Sequence, residues 1–217
     1  MYNLHCHSLL SDGILLPSEV AVHYAEKGYF AIAITDHADY SNIDFVMDGI
    51  LKFISHWPKD SKIQVLPGVE LTHLPLEQFK PLVKKARRRG MKIIVGHGET
   101  TAEPVVKGTN RACMEAGVDI LAHPGLISEE DAQLAAEKGV FLELTSRSGH
   151  RDSNLHVAEQ ALRAEANLIF STDSHRPEDI ISPRELIKIA FGAALNESNI
   201  EAVCVNIKDF LRKKGVK

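Results

Sequence analysis

At 217 residues, with 44% hydrophobic and 25% charged side chains, the chain can bury one full core and needs no second domain to do so. A formal net charge of −4, with no long basic run, argues against nucleic acid as the main partner, and no apolar run approaches the roughly 20 residues of a membrane span. Three widely spaced cysteines (Cys6, Cys113, Cys204), none in a CxxC pair, and a Met1 that leads almost directly into a strand point to a reducing cytoplasm.

Strand-like and helix-like segments alternate along the chain. Residues 2–5 read as a strand, and 17–27 as an amphipathic helix opened by Pro17 and closed by Gly28. Strand 31–35, helix 42–56 and strand 63–69 follow, then helix 76–89 with Gly90 as its stop and strand 92–95. The basic stretch from Lys84 to Arg89 suits the outer face and C-terminal end of a helix, where cations meet the dipole. A long loop, 98–108, precedes helix 110–116, stopped by Gly117, and strand 119–122. Ser128 caps a helix with an acidic first turn that runs to Lys138, before strand 140–145. Helix 154–164, strand 167–171 and two tail helices, 183–195 and 198–214, complete the order.

This is a run of seven βα units without a linker, predicted to form one domain over 1–217. The strands are short and rich in Ile, Val and Leu, as in a parallel sheet covered by helices.

Six of these strands stop at metal-binding residue types. Leu4 runs into His5-Cys6-His7, with Asp12 beyond, and 32–34 runs into Asp36-His37. Strand 65–69 ends at Glu70, 93–95 reaches His97, Ile120-Leu121 leads to His123, and 168–170 leads to Asp173-Ser174-His175. Ligands at the C-terminal ends of strands from first to last converge only if the sheet closes, so the prediction is an α/β fold, a (β/α)7 TIM-like barrel.

Residues two apart on a strand point the same way, so His5 and His7 can face one ion, with Cys6 turned away, and Asp173 and His175 repeat the geometry. Of the adjacent pair, His37 is the expected ligand and Asp36 the carboxylate behind it. Glu70 has two oxygens and can bridge two ions. Small or chain-turning residues flank His97 and His123 and let the backbone approach a crowded centre. Imidazoles and carboxylates without a thiolate cluster suit Zn, Mn, Fe or Co. His23, His56 and His156 lie in or beside helices and read as structural or exposed; His73 could line the mouth.

These motifs, His5-x-His7 with Asp12, Thr35-Asp36-His37, Gly68-Val69-Glu70, His97, Ala122-His123-Pro124 and Asp173-x-His175, resemble those of the PHP (polymerase and histidinol phosphatase) superfamily from Met1 to about Pro177. The resemblance implies a distorted seven-unit barrel, two or three divalent ions with zinc the first expectation, and hydrolysis of a small phosphate monoester by metal-bound hydroxide. It implies that His5, His7, Glu70 and Asp173 hold one ion, that Asp12, His37 and His175 hold a second, and that Glu70, His97 and His123 hold a third. Catalytic roles fall to Asp173, Glu70 and His175.

Arg147 and Arg176 are the expected phosphate contacts, ahead of Arg111, Lys107 and His150. Glu143 either supports a ligand from behind or is a buried, paired structural group. Members resembling dedicated histidinol phosphatases carry longer loops than this compact chain, which leaves the substrate open and makes loop 98–108 the candidate selecting lip. Two other readings compete. An amidohydrolase-type enzyme would typically carry a carboxylated lysine where this chain has Glu70 and His97. A non-catalytic PHP module of DNA metabolism is disfavoured by the intact ligand set and the acidic balance. The oligomeric state is open.

Overall fold

The computed structural model describes residues 1–216. The strands are β1 (Tyr2–Asn3), β2 (Ala31–Ile34), β3 (His37–Ala38), β4 (Gln64–Leu71), β5 (Ile93–His97), β6 (Ile120–Ala122), β7 (Phe141–Thr145) and β8 (Leu168–Ser171). The helices are α1 (Pro17–Glu26), α2 (Ile43–His56), α3 (Phe79–Arg88), α4 (Thr109–Ala116), α5 (Glu129–Lys138), α6 (Asn154–Ala164), α7 (Pro183–Gly192) and α8 (Glu197–Lys213). The sheet runs β1-β2-β4-β5-β6-β7-β8, with parallel pairing at every step.

Beyond their last paired residues the first and last strands meet. Cys6 forms a parallel bridge with Ser174, Asp173 N donates to His5 O at 3.1 Å, and His7 N donates to Ser174 O at 2.9 Å. Tyr24, buried on α1, fastens this seam: its hydroxyl accepts from Asn3 Nδ2 at 3.0 Å and bonds Ser174 Oγ at 2.9 Å and Thr172 Oγ1. The result is a nearly closed, distorted TIM-like barrel, as the strand-end argument predicts.

The strands are buried on both faces, inward on the barrel and outward on the helices, which is why they are apolar runs rather than alternating ones. Helix α2 places Ile43, Val46, Met47 and Ile50 against the sheet at the three- and four-residue spacing of one helical face. Burying a side chain of that size contributes about 1.5–3 kcal/mol. Helix punctuation follows the sequence: Ser128 Oγ accepts from Asp131 N at 3.1 Å, and Gly139 closes α5 at φ 67°.

Three local differences from the sequence reading matter. The segment read as helix 76–89 opens as a 3-10 turn, Leu76–Gln78, before α3; Pro81 then falls in the first turn of α3, where its missing N–H is not needed. The second strand resumes after Thr35-Asp36 as β3, paired with β4 through His37 and Glu70. Glu70 therefore lies within β4 rather than past its end, held by its own N–H to Asp36 O at 3.1 Å.

Candidate metal centre

The closing seam positions the first ligands. Asn3 Nδ2 donates to His5 O at 2.9 Å, and Thr172 N donates to Asn3 Oδ1 at 2.8 Å, so one buried amide ties residues 3–5 to the end of β8. His5 Nδ1–H donates to Glu143 Oε1 at 2.7 Å, which makes Nε2 the nitrogen that would bind an ion. That nitrogen faces Glu70 Oε1 at 3.4 Å, Asp173 Oδ1 at 3.6 Å and His7 Nε2 at 3.1 Å. Glu143 Oε2 also accepts from His123 N at 3.0 Å. Glu143 thus orients one candidate ligand by its ring and another by its backbone.

Glu70, fully buried, stands at the middle. Its Oε1 faces His5 and, at 3.8 Å, His123 Nε2; its Oε2 faces His7 Nε2 at 3.7 Å and His37 Nδ1 at 2.6 Å. Asp12 reaches over from the loop after β1, with Oδ1 at 3.2 Å from His175 Nε2 and 3.7 Å from His37 Nε2. His7 faces both sides, Nε2 toward Asp173 Oδ1 at 3.1 Å and Nδ1 toward Asp12 at 3.9 Å.

Donor atoms lying within 4.8 Å of one another form five overlapping groups. They are His7, Asp12, His37 and His175; His5, His123 and Asp173; His5, His7 and Glu70; Glu70, His97 and His123; and His73, His97 and Glu103. All nine residues singled out at the strand ends enter at least one group.

Divalent cations fit this donor set on the geometry alone. Among the described residues, seven buried side-chain atoms lack a hydrogen-bond partner, and four are here: His7 Nδ1, Glu70 Oε1, His123 Nδ1 and Asp173 Oδ1. A buried polar atom without a partner costs about 1–3 kcal/mol, a cost a bound cation removes at the carboxylate oxygens Glu70 Oε1 and Asp173 Oδ1.

Protonation points the same way. Burial and neighbouring imidazoles push His7 and His123 well below the usual histidine range, so both are neutral, as a ligand must be. Burial opposes protonation of His5 too, but Glu143, Glu70 and Asp173 outweigh it and hold that imidazole well above its usual range. Burial likewise opposes protonation of His37, and Glu70 outweighs it, raising the group to about 9. Asp173 is pushed up to about 6 by burial, with His5 opposing and the charge of Glu70 adding. A divalent ion would favour the ionised carboxylate and the neutral rings at once.

The other sequence expectations fall out unevenly. Arg147 lies at the rim, with Nε at 3.5 Å from Asp173 Oδ2 and Nη1 at 3.2 Å from Asp173 O. Arg176 is exposed, and its backbone rather than its guanidinium meets Asp179. Asp36 does not stand behind His37. Its carboxylate accepts from Ser8 N at 2.7 Å, Ser8 Oγ at 2.7 Å and Ser11 Oγ at 2.7 Å, and so holds the loop that carries Asp12. The ring of His37 is instead steadied by Thr72 Oγ1, 2.7 Å from Nδ1.

His150 packs on His123 with ring centroids 4.3 Å apart, and its Nδ1 meets Thr100 Oγ1 at 2.6 Å. Loop 98–108 also brings in Glu103, whose Oε1 lies 2.9 Å from His97 Nε2; that hydrogen bond holds its carboxyl down to about 2. Glu103 carried no sequence signal because it sits on a loop, whereas Thr72, two residues past Glu70 at the end of β4, has the same spacing as His5 and His7 and could have been found by it. Glycine earns its place where the backbones converge: a Cβ on Gly98 would lie 2.3 Å from Ala122 O, and one on Gly125 (φ 63°) 1.9 Å from Glu99 O.

The PHP domain family model matches residues 3–103. An uncharacterized protein of Methanocaldococcus jannaschii is 38% identical over 218 residues, covering 98% of this chain and 99% of that protein. The DNA polymerase/3′-5′ exonuclease PolX of Bacillus subtilis is 26% identical over 203 residues, 81% of this chain but 34% of PolX. Among solved structures, the histidinol phosphate phosphatase of Lactococcus lactis, determined with zinc, L-histidinol and phosphate, superposes with a TM-score of 0.62. It covers 90% of this chain and 94% of that one at 19% identity, a likeness of fold.

Proposed function

The chain belongs to the PHP family, and on that premise we propose that it is a metal-dependent hydrolase that cleaves a small phosphate monoester at the mouth of its barrel. The observation that carries this reading is the convergence of buried donor groups on Glu70, with four of their atoms lacking any protein partner. In it, His5, His7, Glu70 and Asp173 hold one divalent ion, Asp12, His37 and His175 a second, and Glu70, His97 and His123 a third. Such ions, zinc before manganese, iron or cobalt, lower the pKa of water and take up charge on phosphate oxygens.

The protein's own groups supply the rest. Glu143 fixes the His5 tautomer through Nδ1, and Asp36 fixes the loop that presents Asp12. Asp173 offers one oxygen to an ion and keeps Oδ2, which faces Arg147 Nε at 3.5 Å, to accept a proton. Arg147 offers a planar fork for phosphate oxygens. The resemblance in fold to the Lactococcus lactis enzyme supports a phosphorylated small molecule. The match to PolX raises nucleic acid ends as the competing substrate; a net charge of −4 speaks against it.

The test is metal content per chain after gentle purification, together with phosphate release from a panel of monoesters and short oligonucleotides with Zn, Mn, Fe or Co supplied. Two or three ions per chain and release from small monoesters are expected. A protein that carries no ion, or is inert across the panel, would overturn the reading.

A further inference from the structure

Two of the donor groups share His97: Glu70 and His123 complete one, His73 and Glu103 the other. Glu103 is grouped with neither Glu70 nor His123, but the two groups meet on His97, and one ion on that ring would join them. A cation at Nε2, the nitrogen that here hydrogen-bonds Glu103, would require the ring's proton on Nδ1, 3.1 Å from Gly98 O, and would take the one lone pair of Nε2. A single lone pair serves a single cation. Glu103 Oε1 lies 2.9 Å from that same nitrogen. Two donors each about 2.0–2.2 Å from one ion and about 90° apart are separated by about 3 Å, so this spacing is that of neighbouring ligands.

The placement of Glu103 is built into the fold. Its loop is clamped at the base by Glu99, whose Oε1 accepts from Gly108 N at 2.9 Å and Asn110 N at 3.0 Å. Nearer the tip, Thr100 Oγ1 accepts from Ala102 N at 3.2 Å and meets His150 Nδ1. Across the mouth, His73 Nε2 faces Glu103 Oε2 at 3.6 Å. His73 holds a φ of 52°, a left-handed backbone that side chains rarely adopt; so do His123 at 27° and Asp173 at 48°, both donors of the centre. Glu165 and Ala194 share that backbone at helix ends, so what marks the mouth is the gathering of three such residues there.

We propose that Glu103 is a further protein ligand of the centre, binding the cation held by Glu70, His97 and His123, with His73 facing it from the rim. The inference rests on the centre being metal-binding and is independent of the bond it cleaves. Glu103 has a side chain 38% exposed and sits on a loop, whereas the other three donors are buried on the barrel. It is therefore the donor most easily exchanged, and the tip of the loop about Glu103, beyond the Glu99 and Thr100 clamps, tightens when the third ion binds.

The experiment is to dialyse manganese-loaded full-length protein against graded chelator, counting ions per chain by mass spectrometry and following hydrogen exchange in 98–108. Wild type should carry three ions and lose protection of the loop as the weakest leaves. Glu103→Gln should weaken that ion by at least about tenfold, leave the other two unchanged, and show no metal-dependent loop protection. A variant that holds the third ion as tightly as wild type, or a wild type that loads only two, would overturn the assignment of Glu103. A wild type that loads none would instead overturn the metal centre itself.

Discussion

The two ends of the barrel handle buried charge in opposite ways. At the N-terminal end of β6, Asp119 has a nearly buried side chain and no unmet demand. Its Oδ2 accepts from Ile94 N at 2.8 Å and pairs with Arg87 Nη2 at 2.7 Å, while Oδ1 pairs with Lys214 Nζ at 2.7 Å. One carboxylate thereby ties β5, α3 and the end of α8 together. At the other end Glu70 and Asp173 are as deeply buried, yet each keeps an oxygen that no protein group satisfies. Burying charge without full pairing is costly, so a fold keeps it only where something outside the chain completes it. The lower cluster serves stability; the upper one is reserved for cations.

Glu70→Gln is the sharpest way to break that contrast, since it keeps the shape and removes the charge at the centre of the donor groups. Metal analysis should find ions lost from more than one position, and phosphate release should fall by at least about a thousandfold, on the order of 4 kcal/mol of transition-state stabilisation. Full metal retention would sink the bridging role of Glu70.

Asp119→Ala tests the opposite end. It removes the ion-pair partner of two partly exposed cations, Arg87 and Lys214, and leaves Ile94 N without its acceptor, so denaturant unfolding should show a loss of about 1–3 kcal/mol. Because nothing at the mouth touches Asp119, metal content of the folded protein and KM should match wild type. A stability loss accompanied by a lost ion would mean that the two ends are not separable.

The mouth was largely legible in the sequence and the base was not, for a physical reason. Strand periodicity is local: His5 and His7 share a face because they are two apart, and short apolar runs ending in His, Asp or Glu report their own register. Asp119 and Lys214 are 95 residues apart, and no local pattern announces that pairing. Within the mouth the same rule separates what was seen from what was missed. Adjacency suggested that Asp36 stands behind His37, but the backbone bends between β2 and β3 and turns the carboxylate to Ser8 and Ser11. Glu103 arrives on a loop whose course is set by Glu99, Thr100 and His150, partners that become neighbours only once the barrel closes.

Arg147 sits on the boundary between the two regimes and gives the smallest expected effect. Its Nη1 lies 2.7 Å from His175 Nδ1, which a neutral ring could accept. But if His175 binds a cation through Nε2, which faces Asp12, then Nδ1 must carry the proton and donate to Asp173 O at 3.1 Å. The guanidinium then loses its acceptor on the ring, and its N–H groups turn to whatever anion enters the mouth. Replacing Arg147 with Ala should raise KM about tenfold, roughly 1.4 kcal/mol, with ion content unchanged; Lys should recover little of it, because a point charge cannot reproduce a two-pronged contact. If Arg147→Ala instead sheds an ion while KM of the loaded enzyme stays put, the arginine belongs with the supports of Asp173 and His175, and the line between satisfied and reserved charge moves outward to the rim.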